Sequence, residues 1–334
     1  MEKINPDKIH KIFDDFSRKK ILVLGDIMLD AYICGNVRRI SPEAPVPVVQ
    51  VDRKEYRLGG AANVALNIKE LGAEVELLSI CGDDQEGEIL KEIIEKQHID
   101  SGNILKCKER KTTVKSRVIA NNQQQLIRLD NEQTDFITRR ESKKIIENVL
   151  AAMDDCDAIV FEDYDKGLLS AGMIRILVNE ANKRNIPSIV DPKKRNFHQY
   201  KNCTLFKPNL QELRAGLNVQ IDRPVKMDQI RKAAEQLFRK MNVQIAFITL
   251  SDEGVYINDR IKDLIVPSHK RSIYDVSGAG DTVTAVASLA ISCGIENELL
   301  AQLTNIAGGL VCEKVGVVPV EKEEFYSECI RLLT

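Results

Sequence analysis

Residues 158–190 read AIVFEDYDKGLLSAGMIRILVNEANKRNIPSIV. An apolar run at Ala158–Phe161 is followed by a helical pattern at Ala171–Arg184 and a second apolar run at Ser188–Val190. Short apolar runs of this kind suit buried strands, and the helix between them sets the rhythm of the chain. Upstream, Ile21-Leu22-Val23-Leu24 reads as a buried strand ending at Gly25-Asp26. Gly60–Leu71 reads as a helix stopped by Gly72, Val75–Ile80 as a strand, and Glu86–Gln97 and Arg139–Met153 as helices. Downstream, Leu205-Phe206 and Ile245–Leu250 are strands and Met227–Met241 a helix. Ile9, Ile12, Phe13 and Phe16 lie on one face of a lead-in helix over residues 4–16. Strands alternating with helices predict an α/β fold whose parallel sheet is covered on both faces.

Two segments break the rhythm. Pro45-Val46-Pro47-Val48-Val49-Gln50-Val51 is strand-like but punctuated by proline, which suits a sheet edge. Thr112–Ala120 and Gln124–Leu129 alternate apolar and polar residues around Asn121-Asn122, a hairpin signature. These are read as a small sheet projecting from the α/β core. Val255–Asn258 with Leu264–Val266 predicts a meander. No repeat, low-complexity linker or boundary interrupts the chain, so one domain over residues 1–334 is expected.

The 334 residues carry a formal net charge of −2, which speaks against nucleic acid as the main partner. The eight cysteines form no CxxC pair and none sits beside a histidine at metal-ligand spacing, so reduced, non-catalytic thiols are expected. There is no signal-peptide core and no run of about 20 apolar residues able to span a membrane, so a cytoplasmic protein is expected.

The strongest chemical signal is Asp275-Val276-Ser277-Gly278-Ala279-Gly280-Asp281-Thr282, leading into the apolar run Val283–Ile291. Small residues let the backbone turn tightly and point N–H groups at one spot, and a helix beginning near Asp281 adds its positive end. Asp281 there suits a general base, with the amides receiving charge from a transferring phosphoryl group. Read alone, Asp281 serves as well for a helix cap. Asn209-Leu210-Gln211-Glu212 has the spacing of a capping box first, and of a Mg²⁺–polyphosphate site second. Thr249-Leu250-Ser251-Asp252-Glu253-Gly254 follows a buried strand, where open α/β sheets bind ligands. Gly59-Gly60-Ala61-Ala62-Asn63 opens a helix and allows close approach of a polar ligand, or simply tight packing. No GxxxxGK[ST], early GxGxxG, HExxH, GxSxG or HRD motif is present.

Taken in order, Gly25-Asp26, Gly59–Asn63, Asn209–Glu212 and Gly278–Asp281 resemble the motifs of the ribokinase-like (PfkB) sugar kinases, over nearly the whole chain. The resemblance implies a three-layer αβα sandwich with a mostly parallel central sheet and a β lid formed by about residues 27–58 and 112–130, ATP as donor, Mg²⁺, and a homodimer paired through the lids. It makes Asp281 the base and Gly278, Ala279 and Gly280 the anion hole. Asn209 and Glu212 then serve Mg²⁺, Glu212 through water, and Thr249, Ser251, Gly254 and Asn305 serve ATP. Asp26, Asp30, Gly59, Gly60 and Asn63 are expected at the sugar.

Gly25–Tyr32, Arg39–Val48, Gln123–Asp130, Asp191-Pro192-Lys193 and Asn305–Gly309 are similar to the D-glycero-β-D-manno-heptose 7-phosphate kinases of lipopolysaccharide synthesis. That likeness implies attack by the anomeric hydroxyl to give a heptose 1,7-bisphosphate. Asp191 and Lys193 are expected at the acceptor, with Lys193 the leading contact to its phosphate and Arg117 and Lys166 next. The group includes proteins fused to an adenylyltransferase with an HxGH motif; this sequence has no HxGH, so the kinase form is expected. Asp165 and Lys194 stand where the group carries glycine. A kinase of another sugar or nucleoside, and a non-catalytic sensor on the same fold, are the alternatives.

Overall fold

The structure, a computed structural model, describes residues 3–120 and 124–334; the expected turn at Asn121-Asn122, with Gln123, lies outside the described residues. The chain begins α1 (Pro6–Phe16), β1 (Lys20–Gly25), β2 (Ile27–Ile40), β3 (Pro47–Gly60), α2 (Ala61–Glu70), β4 (Glu74–Gly82), α3 (Gln85–Lys96) and β5 (Ile104–Cys107). It continues β6 (Val114–Ala120), β7 (Gln124–Asn131), α4 (Arg139–Ala152), β8 (Ala158–Glu162), α5 (Ala171–Lys183), β9 (Ser188–Asp191), β10 (Leu205–Phe206) and α6 (Leu210–Leu217). It closes α7 (Met227–Met241), β11 (Ile245–Thr249), β12 (Val255–Asn258), β13 (Asp263–Val266), α8 (Ala279–Ser292), α9 (Asn297–Cys312) and α10 (Lys322–Leu333).

The large sheet has the order β13-β12-β11-β10-β9-β8-β1-β4-β5. From β11 to β5 every neighbouring pair is parallel, and β12 and β13 fold back as the antiparallel meander. Side chains alternate between two apolar layers because the strand period is two. Ile21 and Val23 of β1 enter the layer of α1, α2, α3, α8, α9 and α10. Leu22 and Leu24 enter the layer of α4, α5, α6 and α7. Each fully buried Leu or Ile in these layers contributes about 1.5–3 kcal/mol. The expected αβα sandwich is therefore the observed one.

The small sheet has the order β3-β2-β6-β7, with β3 at an edge as its prolines suggested. It is larger than the sequence indicated: β2 and β3 each run 14 residues. Its two faces differ in kind. Arg57, Asp30, Lys115 and Asp130 share one cross-strand row, and Glu55, Tyr32, Arg117 and Arg128 the next row on the same face. This charged face turns to the core, where Arg57 donates to Val315 O at 2.8 Å and Tyr32 Oη accepts from Val317 N–H at 3.0 Å. The opposite face carries Ile33, Tyr56, Val118, Ile127 and Leu129, of which Ile127 and Leu129 are 52% exposed.

Candidate active site

Four adjacent strands end in one row at the carboxyl edge of the large sheet. Gly25 of β1 pairs in register with Glu162 of β8, and Glu162 with Asp191 of β9; Lys207 follows β10 alongside. Two-residue periodicity places all four on the α8 side of the sheet, directly under the first turn of that helix. Lys207 and Asp191 are buried and joined by an ion pair of 2.8 Å. Burial opposes the Lys207 charge, but Asp191 and Glu162 outweigh it and hold its pKa above the ordinary lysine range.

The helix above this row starts at Ala279, two residues before the expected Asp281. Gly278 occupies the N-cap position at φ +81°. A β-carbon there would stand 2.9 Å from Asn63 Nδ2, so the turn requires glycine on both counts. Asp281 therefore lies inside the first turn, and no side-chain bond caps this helix. Its carboxylate is buried and doubly held: Tyr164 Oη donates to Oδ1 at 2.7 Å and Asn63 Nδ2 donates to Oδ2 at 2.8 Å. Burial pushes its pKa up to about 6, against the two hydrogen bonds, which favour the charged form.

Gly280 is exposed, and a β-carbon on it would meet nothing closer than Asp191 Oδ2 and Lys207 Nζ, both at 3.9 Å. The open space at Gly280 lies beside a helix N-terminus and over a buried lysine, a combination that favours an anion. The Ala279 amide already donates to Val276 O at 3.3 Å, a weak bond, so the Gly280 amide is the readier donor of the expected pair.

The remaining expected residues divide by location. Asp30 is buried on the inner lid face and ion-paired with Arg117; Gly59 is required beside it, because a β-carbon there would strike the Asp30 carboxylate. Gly60, at φ +59°, turns the chain into α2 and so delivers Asn63 to Asp281. Asp26 has a structural use besides the expected one. It accepts N–H bonds from Tyr164 at 2.9 Å, Lys166 at 3.0 Å and Leu168 at 3.4 Å, so its carboxylate clamps the loop after β8. Within that loop Asp165 has φ +56°, which explains the glycine expected there. Lys166 pairs with Glu132 at 2.8 Å.

On the other flank, Asn209 and Glu212 do form the capping box: Asn209 Oδ1 accepts from Glu212 N–H at 2.8 Å, and Glu212 Oε2 from Asn209 N–H at 2.9 Å. Lys193 Nζ takes the other oxygen of Glu212, and its pKa is raised: burial opposes its charge, and Asp191 and Glu212 override it. Lys193 is thus tied to the expected metal corner. Thr249 bridges to Asn209, and Asn305 Nδ2 donates to Val266 O at 2.9 Å. Ser251 (φ +63°) and Gly254 (φ +96°) shape the turn between β11 and β12 against the same Val266 carbonyl. These residues share one end of the cleft.

Four residues of the site were not singled out from sequence. Lys207 and Glu162 are charges closing apolar strands, a pattern that was legible; Tyr164 and Lys115 carry no local signal. Both oxygens of Glu162 are buried without a hydrogen-bond partner. Burial, then the Asp191 and Asp281 carboxylates, raise its pKa well above the usual carboxylate range.

Among the described residues no group of three His, Cys, Asp or Glu side chains is placed to hold a metal ion. One carboxylate, Glu212, with a cation already against it, still fits Mg²⁺, which binds through few protein ligands, several waters and substrate phosphates. No helix of the described residues is long and apolar enough to cross a membrane.

A buried aspartate in the first turn of a helix, above a lysine at the carboxyl edge of a parallel sheet, is an arrangement suited to phosphoryl transfer on an α/β fold. Among solved structures, Escherichia coli phosphofructokinase-2 in complex with substrates and products superposes with TM-score 0.77 at 20% identity, covering 94% of this chain and 99% of that one. Arabidopsis thaliana ribokinase complexed with ribose and ATP superposes with TM-score 0.73 at 15% identity, covering 93% and 98%. Residues 18–323 match the pfkB family carbohydrate kinases, and the chain belongs to that family. The bifunctional protein HldE of Koribacter versatilis is 37% identical over 318 residues, 95% of this chain and 64% of that protein. HldE of Aliarcobacter butzleri is 37% identical over 309 residues, 92% and 64%. The chain spans just under two thirds of the length of these relatives.

Proposed function

We propose that this chain transfers the γ-phosphoryl group of ATP to the anomeric hydroxyl of D-glycero-β-D-manno-heptose 7-phosphate, giving the 1,7-bisphosphate for ADP-heptose and lipopolysaccharide core synthesis. The observation that carries the reaction type is Asp281, held by Asn63 and Tyr164 beside the Gly278–Gly280 turn and above Lys207. The motif likeness at Gly25–Tyr32 and Arg39–Val48, together with the HldE relatives, supports the acceptor.

In this reading Asp281 takes the proton of the anomeric hydroxyl as its oxygen attacks the γ-phosphorus, and the bond to the β–γ bridging oxygen breaks. The Gly280 amide and Lys207 receive charge on the equatorial oxygens. Glu212 would hold Mg²⁺ through water, and the ion, when bound, would add charge neutralisation on the donor phosphates. Asp30, with Arg117, and Asn63 orient sugar hydroxyls. Thr249, Ser251, Gly254 and Asn305 line the nucleotide end. The apolar outer face of the lid, with Ile127, Leu129 and Tyr56, supports a homodimer that covers it with a second copy.

The test is ADP release with heptose 7-phosphate, heptose, ribose, fructose and fructose 6-phosphate as acceptors. Heptose 7-phosphate is expected to give the highest kcat/KM; preference for ribose or fructose would replace the acceptor and keep the kinase.

A further inference from the structure

Four cations at the strand ends and on the inner lid are tied to carboxylates. Arg117 pairs with Asp30, Lys166 with Glu132, Lys193 with Glu212 and Lys207 with Asp191. Lys115, on the inner face of the lid, is the exception: no carboxylate among the described residues lies within ion-pair distance of its ammonium. Its close partner is the ring of Tyr164, whose centroid is 4.8 Å from Nζ. The same phenol hydrogen-bonds the base, and Lys193 Nζ lies 4.9 Å from the same centroid.

Half-burying an ammonium without a counter-ion is unfavourable. Burial lowers the Lys115 pKa; Asp30, Asp130 and Glu132 attract the charge from a distance, and Lys166 repels it. A cation–π contact offsets part of that cost, about 0.5–2 kcal/mol, and leaves the positive charge uncompensated. An anion arriving with substrate would supply the missing partner. The two lysines over the Tyr164 ring come from different walls of the cleft. The nucleotide end is built from the ends of β10 and β11 and the Glu212 corner, where Lys193 and Lys207 already stand. Lys115 reaches the cleft from the lid, in the row of Asp30.

We infer that Lys115 is the contact for the phosphate borne by the acceptor, completing its ion pair only when a phosphorylated sugar is bound. The inference rests on the reading that the acceptor is a sugar phosphate. It moves the leading role in phosphate recognition from Lys193, which the Glu212 pair commits elsewhere, to the lid.

The experiment compares the wild-type chain with Lys115→Met and Lys115→Arg, using heptose 7-phosphate and unphosphorylated heptose, each with ATP. Lys115→Met should raise KM for heptose 7-phosphate roughly ten- to a hundredfold. KM for ATP should not follow it, kcat/KM for free heptose should fall far less than for heptose 7-phosphate, and Lys115→Arg should recover part of the loss. Without ligand, Lys115→Met should melt no lower than wild type, since it removes an uncompensated charge. Equal loss of kcat on both sugars with KM unmoved would overturn the inference and put Lys115 at the transferred group. Unchanged kinetics, or a lower melting temperature with no KM effect, would overturn it too. If the wild type itself turns over no phosphorylated sugar, the acceptor reading falls, and that result is seen before any variant is made.

Discussion

Tyr164 Oη donates to Asp281 Oδ1 across 2.7 Å, so the proposed base shares its charge with a phenol from the opposite wall of the cleft. Tyr164 is itself fixed, because its backbone N–H is bound by Asp26. A chain of contacts thus runs from the end of β1, through the loop after β8, to the first turn of α8.

Tyr164→Phe removes that bond and keeps the ring over which Lys115 and Lys193 lie. The bond favours ionised Asp281, so its loss raises the aspartate pKa further above the ordinary value. A hydrogen bond to a charged group is worth about 1.5–3 kcal/mol, so the acid limb of kcat/KM should move up by about one pH unit or more. The pH profile of both proteins measures it. A limb that stays in place would mean that Tyr164 does not interact with the working base.

Glu212→Gln separates the two readings of Asn209–Glu212, both of which the geometry accommodates. Glutamine keeps an oxygen for the Asn209 N–H but loses the charge that meets Lys193. Stability should fall modestly, by roughly 1–3 kcal/mol, because Lys193 is left without its charged partner. The Mg²⁺ concentration for half-maximal rate should rise several-fold. A melting curve and a magnesium titration decide: lower melting with an unmoved titration leaves the capping role alone.

Much of the fold was legible because strands buried on both faces have to be continuous apolar runs. Ile21–Leu24, Ala158–Phe161 and Ile245–Leu250 needed no tertiary information. The lid was harder to read: β2 carries Asp30, Gly35 and Asn36 in a strand with one charged face, so periodicity is diluted. Asp281 and Gly278–Gly280 were visible because a tight turn before an apolar helix has few sequence solutions. Lys115 and Tyr164 were not, since what marks them is proximity across the cleft. The amide clamp of Asp26 was not legible either, because an aspartate after a strand looks the same whether it faces a ligand or holds backbone amides.

Gly280→Ala tests the open space at this position without disturbing the fold. The added methyl meets no atom closer than 3.9 Å, and alanine in a helix is favoured over glycine by up to about 1 kcal/mol. The melting temperature should hold or rise. The methyl would fill the space above Lys207 proposed for the transferring group, and displacement there by about 1 Å can cost on the order of a hundredfold in kcat. An active Gly280→Ala enzyme would place the phosphoryl group elsewhere.

Glu162→Gln concerns a buried carboxyl that no protein group satisfies. Burial, Asp191 and Asp281 raise its folded pKa, while the unfolded chain should titrate it near about 4.3. A raised folded pKa means that its contribution to stability is fully present below the unfolded value and is lost as pH rises through the folded one. Glutamine cannot ionise, so the variant does not share that loss. Its amide carries a polar-burial cost of its own, but that cost does not change with pH. The quantity to measure is therefore the slope: the melting temperature of Glu162→Gln relative to wild type should climb steadily from pH 4 toward pH 8. A difference that is flat across this range would show that Glu162 ionises as easily in the folded chain as in the unfolded one, and that an unseen partner compensates its charge.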